Sequence, residues 1–301
     1  LTQSGLSIGI QMLMWGLTGP IFGAIADKYG GHKAIALAFL FFIAGVYFLY
    51  AGPNTGIFFQ IDMGILIGIG LGGTAISIPM SIVGKHFPLS NRTIAMSIVT
   101  AVGSFGYFLS PILTQYSLTE NGWQITLLSF LVALVVGLGI SFFVRSPSLE
   151  QTIEKPNTQS LTDAIKEAFG TKSYILLVSG FFVCGFHITL VGTHVPTYVI
   201  DRGLESWTAA AILSLIGLFN IFGSLTSGYL STKMSKKIIL SAIYSLRGLS
   251  IILFIFLPAS NINSFIFGAS FGFLWLSTVP ATSGIVAHMF GTKYLGLLYG
   301  I

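Results

Sequence analysis

The chain has 301 residues, of which 53% are apolar and only 8% are charged, with a formal net charge of +5. Soluble domains carry about 25% charged residues, so this composition cannot cover a water-facing surface, and a mean hydropathy of +0.87 points to lipid as the bulk solvent. One cysteine, Cys184, excludes an internal disulfide; in its apolar run it reads as a small buried hydrophobe.

Nine full apolar segments and a partial tenth follow in chain order, at about 6–26, 34–52, 56–83, 93–116, 122–144, 173–198, 207–231, 238–258, 262–287 and from 294 onward. Each of the nine full segments suits the roughly 20 residues that a membrane helix needs. None shows the alternation of a membrane β-barrel strand. The expected fold class is an all-α polytopic membrane protein. No charged leader precedes the first apolar run, and both ends fall at or inside apolar stretches, so the chain reads as a fragment.

The first segment runs into "GAIADKYGGHK", residues 23–33, where several ionisable groups gather among three glycines. Lys28, Lys33, Lys85, Arg92, Arg145, Lys155, Lys166, Lys172, Lys233, Lys236, Lys237 and Lys293 all fall in one set of alternate loops, and that set holds 12 of the 14 Lys and Arg. The opposite set holds Arg202 alone, and Arg247 lies within a segment. By the positive-inside rule, the loops at 27–33, 84–92, 145–172, 231–237 and 288–293 face the cytoplasm. On that side the sequon Asn91-Arg-Thr93 stays unmodified.

The long loop at 145–172 contains "SLTDAIKEAF", 160–169. Ser160 with Asp163 approximates a capping box. Leu161, Ala164, Ile165, Ala168 and Phe169 share a face at helical spacing, which predicts a short amphipathic helix on the membrane surface. Gly23-x-x-x-Asp27-Lys28 recurs as Gly228-x-x-x-Thr232-Lys233. His86-Phe87 before Arg92 is echoed by His288 and Phe290 before Lys293. Two copies of a multi-helix unit joined by the long loop fit a parallel-repeat transporter.

Gly23-Ala-Ile-Ala-Asp27-Lys28-Tyr-Gly30-Gly31-His32-Lys33 resembles the signature of the major facilitator superfamily, Gly-x-x-x-Asp-basic-x-Gly-x-basic-basic, with His32 where a permanent cation is usual. The residue types have physical reasons. Glycines allow a tight turn and close helix approach. Asp27 can receive N–H groups at a helix N-terminus and pair with a cation. Lys28 and Lys33 hold the loop on the cytoplasmic side. The resemblance implies that Gly23, Asp27, Lys28, Gly30, Gly31 and Lys33 form a conformational latch. It also implies that the segments are helices two to eleven of two six-helix halves, at 1–144 and 173–301, joined by the loop at 145–172.

"HFPLSNRTIAMSIVTAVGSFG", "GLFNIFGSLTSGYL", "IYSLRG" and "FGFLWLSTVP" resemble bacterial monocarboxylate-porter-like members. The Asp and Arg of the animal members' eighth helix are replaced by Asn220 and Ser224. The resemblance implies a secondary transporter of a small organic anion such as a monocarboxylate, proton-coupled and working by alternating access. It implies a cell-membrane, multi-pass protein that acts as a monomer with a small-molecule substrate, protons and the lipid bilayer as partners. No nucleic acid, metal, cofactor or catalytic residue is expected. A drug or sugar porter is the rival within the class, although Gly103-Ser-Phe-Gly106 followed by Pro111 is not the exporter signature. A membrane-embedded enzyme would need clustered His and carboxylates. A transport-dead receptor is the remaining alternative.

Candidate substrate residues lie within the segments. Arg247 sits near mid-membrane, where a charge costs about 2.5–3.5 kcal/mol on insertion scales. It either attracts an anionic substrate or binds a structural partner, such as Asn220 or a backbone carbonyl of a neighbouring helix. His187, His194 and Tyr198 fall on one face of the family's helix seven, where histidine can titrate near neutral pH. Trp275, Thr278 and Thr282 share a face of its helix ten, as a substrate cavity or a packing stripe. Asp62 reads as an interfacial carboxylate in preference to a proton site. The glycines at 64, 68, 70 and 72 mark helix packing. Gly268-Ala-Ser270-Phe-Gly272 lacks the strand–turn–helix context of a nucleophile elbow, and no Walker lysine motif occurs.

Overall fold

A computed structural model of the chain describes residues 3–53, 55–143 and 160–301. The described residues are helical: α1 Gln3–Tyr29, α2 Gly31–Ala51, α3 Gly56–Phe59, a π-helical segment Gln60–Leu66, α4 Ile67–Thr74, α5 Ser77–His86, α6 Leu89–Ser141, α7 Leu161–Gly170, α8 Lys172–Asp201, α9 Ser206–Lys233, α10 Lys236–Phe256, α11 Asn261–Leu274, α12 Thr278–Phe290 and α13 Leu295–Gly300. Among them, eight helical stretches are long and apolar enough to cross a membrane.

One of those eight spans Ser90–Ser141, 52 residues. A straight helix of that length would extend about 78 Å, nearly twice the full thickness of a bilayer. It is broken at Gly122, whose φ of 77° and ψ of 174° belong to a region essentially reserved for glycine. The two expected segments at 93–116 and 122–144 are thereby separated. The expected segment at 56–83 is less regular than its sequence suggests, with α3, the π-helical segment, α4 and α5 in series. The segment at 262–287 divides into α11 and α12 at residues 275–277. In water such breaks expose backbone groups to solvent; in lipid they need partners from neighbouring helices.

The amphipathic helix expected at 160–169 is α7. Ser160 Oγ donates to the Asp163 carboxylate at 2.6 Å and accepts from the Asp163 N–H at 3.2 Å. Ala164 and Ala168 are buried, while Phe169 is exposed.

The contacts divide the chain into two compact units, the first made of Leu1–Pro88, Asn121–Ala168 and Met289–Ile301 and the second of Leu89–Glu120 and Phe169–His288. The apolar core of the first gathers Phe22, Ala26, Ala34, Ala38 and Ile78, where small side chains let α1, α2 and α5 approach. The core of the second is larger and aromatic. Val191, Val195 and Val199 of α8 and Ile212 and Ile216 of α9 pack on Phe267, Phe271 and Trp275. Phe271 and Trp275 meet edge to face with centroids 5.3 Å apart, a favoured aromatic geometry.

Candidate functional site

Two polar clusters stand out, one in each unit. In the first unit Asp27 lies near the end of α1 with its side chain only 2% exposed. Its Oδ1 receives Ser81 Oγ at 2.6 Å and Lys85 Nζ at 2.7 Å, both from α5. Its Oδ2 receives the backbone N–H of Leu297 at 3.0 Å. Leu297 is the third residue of α13, so Asp27 does from another helix what an N-cap side chain does locally. Its charge also sits at the positive end of that helix. Gly23, one turn earlier, makes this reach possible: a Cβ there would collide with the carbonyl of Gly296.

The remaining residues of the signature play other parts. Gly30, with φ 99°, separates α1 from α2, and Gly31 is buried at the start of α2. Lys28 and Lys33 are exposed, and Lys28 Nζ lies 5.0 Å from the Tyr29 ring centroid. The cation that pairs with Asp27 is Lys85, a loop-end residue 58 positions away and not a neighbour within the motif.

In the second unit the polar cluster surrounds the break between α11 and α12. Arg247 of α10 is fully buried. Its Nη2 donates to the carbonyls of Leu274 at 2.6 Å and Trp275 at 2.5 Å, and its Nη1 donates to Cys184 Sγ at 3.2 Å. The last carbonyls of α11 have no partner within that helix, and a cation there complements the helix dipole. The guanidinium also lies over the Tyr244 ring, 5.5 Å from its centroid.

Asn220 of α9 serves the same break with both ends of its amide. Its Oδ1 accepts from the N–H of Leu276 at 2.8 Å, and its Nδ2 donates to Ser104 Oγ of α6 at 2.6 Å. Ser227 Oγ donates to the carbonyl of Ser277, and Ser277 Oγ donates to the carbonyl of Phe273 at 2.6 Å. α9 passes so close that a Cβ on Gly223 would overlap the Phe273 carbonyl.

Six of the sequence-singled residues therefore converge here or border the cluster. Arg247, Asn220 and Trp275 meet at the break. Thr278 Oγ1 lies 3.4 Å from Cys184 Sγ. Thr282 is buried with its Oγ1 unpartnered, as is Nδ1 of the half-buried His187. His194 is exposed and stands apart. Tyr198 lies further along α8, 5.6 Å from the Phe254 ring centroid and 5.0 Å from the Arg202 guanidinium.

The geometry limits what Arg247 can offer an anion. Both bidentate faces of a guanidinium use Nη2, and both Nη2 hydrogens are already given to carbonyls. Among its remaining donors, Nε has no partner. In this conformation Arg247 offers an anion its field and single hydrogen bonds, not a fork. Cys184, which sequence alone marked as filler, proves to be its sulfur acceptor. Tyr244, three residues before Arg247 on the same helix, could have been found from that spacing.

A family model described as Major Facilitator Superfamily matches residues 1–301. The chain belongs to the Major Facilitator Superfamily. Among curated relatives of this superfamily, the uncharacterized MFS-type transporter YcxA of Bacillus subtilis is 24% identical over 306 residues, covering 98% of this chain and 73% of the relative. The cis,cis-muconate transport protein of Acinetobacter baylyi is 24% identical over 236 residues, covering 73% of this chain and 55% of the relative. Among solved structures, the Escherichia coli fucose:proton symporter FucP aligns with a TM-score of 0.71 at 14% identity, covering 99% of this chain and 80% of that one. The superfamily assignment makes this a multi-pass membrane protein of the transporter class and not an enzyme.

Proposed function

We propose that this protein is a secondary active transporter of a small organic anion such as a monocarboxylate, coupled to protons and working by alternating access between two six-helix halves. The observation that carries the reading is Arg247, a fully buried guanidinium in a membrane span with no carboxylate partner among the described residues. A charge in a low-dielectric interior is strongly unfavourable without compensation, and carbonyl dipoles compensate it only in part. An anionic substrate supplies the missing charge. The relative named for cis,cis-muconate, a carboxylate, supports the substrate class.

In this reading Arg247 draws the anion electrostatically, while Thr278, Thr282 and His187 offer hydrogen bonds and Trp275 an apolar wall. Asn220 holds the break that presents them, and His194 and Tyr198 line the approach along α8. Gly23, Asp27, Lys28, Gly30, Gly31 and Lys33 act as the latch. The cation-rich loops face the cytoplasm of a cell-membrane protein that works as a monomer.

The test is uptake of labelled small carboxylates by the full-length protein in proteoliposomes, with and without a pH gradient. Saturable uptake that rises with an inward proton gradient is expected. A transported carboxylate should also raise the melting temperature of the wild type and not that of Arg247→Leu, which removes the charge. Uptake of sugars or lipophilic drugs with no carboxylate transport would replace the anion reading. Equal protection of Arg247→Leu would remove Arg247 from the substrate's surroundings.

A further inference from the structure

The first unit contains a buried acid that neither cluster uses. Asp62 is 7% exposed. It lies six positions after the start of α3 at Gly56, inside the π-helical segment. Its own carbonyl accepts the N–H of Ile67, five residues ahead, in place of the usual four. Such turns are rare and recur at functional sites. Gly45 of α2 packs against this segment: a Cβ there would sit 3.0 Å from the Asp62 carbonyl.

The carboxylate points at the end of α2. Its Oδ2 lies 3.8 Å from where a Cβ on Gly52, the C-cap of α2, would stand. The last carbonyls of a helix make that end its negative pole. No hydrogen bond or ion pair engages the Asp62 carboxylate among the described residues. The packed elements also bring no charge to it. The ionisable residues of α1, Asp27, Lys28 and Tyr29, lie at its far end, as do His32 and Lys33 of α2. Tyr47 and Tyr50, near the close end of α2, are exposed, and α3 and α4 have no ionisable residue.

An unpaired acid beside a negative helix end in a membrane span lacks a cation. A metal ion needs several oxygen ligands, whereas a lone carboxylate suffices for a proton. We infer that Asp62 is a proton-binding site, taking up and releasing the coupling proton where the π-helical segment meets α2. The step adds one proton from water to a carboxylate oxygen and is reversed on release, with no other bond made or broken. It rests on the proton-coupled reading above, but its test needs no transported substrate, so a wrong substrate class would leave it standing.

The experiment is acid-minus-neutral infrared difference spectroscopy of the reconstituted full-length protein. The wild type should show the carbonyl stretch of a protonated carboxyl group, shifted by isotope labelling of aspartate. Asp62→Asn should lose that band. Asp62→Glu should keep a band that no longer responds to aspartate labelling, which decides the matter even if Asp62→Asn folds poorly. Identical spectra for wild type and Asp62→Asn, or a label-sensitive band persisting in Asp62→Glu, would overturn the inference. So would a melting temperature raised by sodium at constant pH in the wild type alone, which would assign a metal cation.

Discussion

The carboxylate of Asp27 accepts a hydrogen bond from the backbone N–H of Leu297, 270 positions further along the chain. One oxygen holds α5 through Ser81 and Lys85, the other holds the first turn of α13, and α1 carries both. Asp27→Asn keeps the shape but loses the charge. Each hydrogen bond to a charged group is worth about 1.5–3 kcal/mol, and Lys85, with its side chain 15% exposed, recovers part of its loss by solvation. The variant should insert normally and lose about 1–3 kcal/mol of stability. Thermal unfolding in detergent measures this, and proteoliposome uptake should fall in parallel. Unchanged values of both would separate Asp27 from any latch.

Gly23 supplies the approach that Asp27 needs. Gly23→Ala drives a methyl group into the Gly296 carbonyl, so α1 and α13 must part. Overpacking of this kind costs about 1–3 kcal/mol. Gly16→Ala, on the same helix with nothing within 4 Å of the added carbon, is the matched control. Melting temperatures of the pair should differ, with Gly23→Ala lower.

Asn220→Leu removes both ends of a buried amide at once. It leaves the Leu276 N–H without its acceptor, at about 1–3 kcal/mol, while Ser104 Oγ keeps its bond to the Thr100 carbonyl. Asn220→Asp retains the acceptor for Leu276 and should cost less in thermal unfolding. Equal losses for the two variants would mean that the Leu276 bond contributes little.

Gly122 can be tested without touching any side-chain contact, since nothing lies within 4 Å of an added Cβ. Its backbone region costs other residues about 1–3 kcal/mol. Gly122→Ala should lower the melting temperature by an amount set by backbone strain alone, whereas Gly103→Ala, also in open space within α6, should have little effect.

The helical segments were legible because apolar runs of bilayer length have few other uses, and the expected segments at 93–116 and 122–144 fall on either side of the break inside α6. The irregularities were not. Residues 270–280, "SFGFLWLSTVP", are apolar on both sides of the break, and the groups that satisfy it come from α9 and α10. Arg247 was visible as a costly charge, but every residue has a carbonyl, so its partners at Leu274 and Trp275 left no mark in the sequence. Lys85 counted only as a loop cation until the fold set it against Asp27. Asp62 read as an interfacial carboxylate, and its place beside Gly52 at the end of α2 accords with that; its burial and the π-helical turn around it had no mark in the sequence.

The break between α11 and α12 is tied to two helices by separate threads, to α10 where Arg247 holds Leu274 and Trp275 and to α9 where Asn220 and Ser227 hold Leu276 and Ser277. Trp275 sits at the knot, held by its carbonyl on one side and by the N–H of its neighbour on the other. A shift of α10 against α9 pulls on the backbone that carries the Trp275 indole. The residue is thus a built-in gauge of strain between those helices, and its fluorescence is the place to read it.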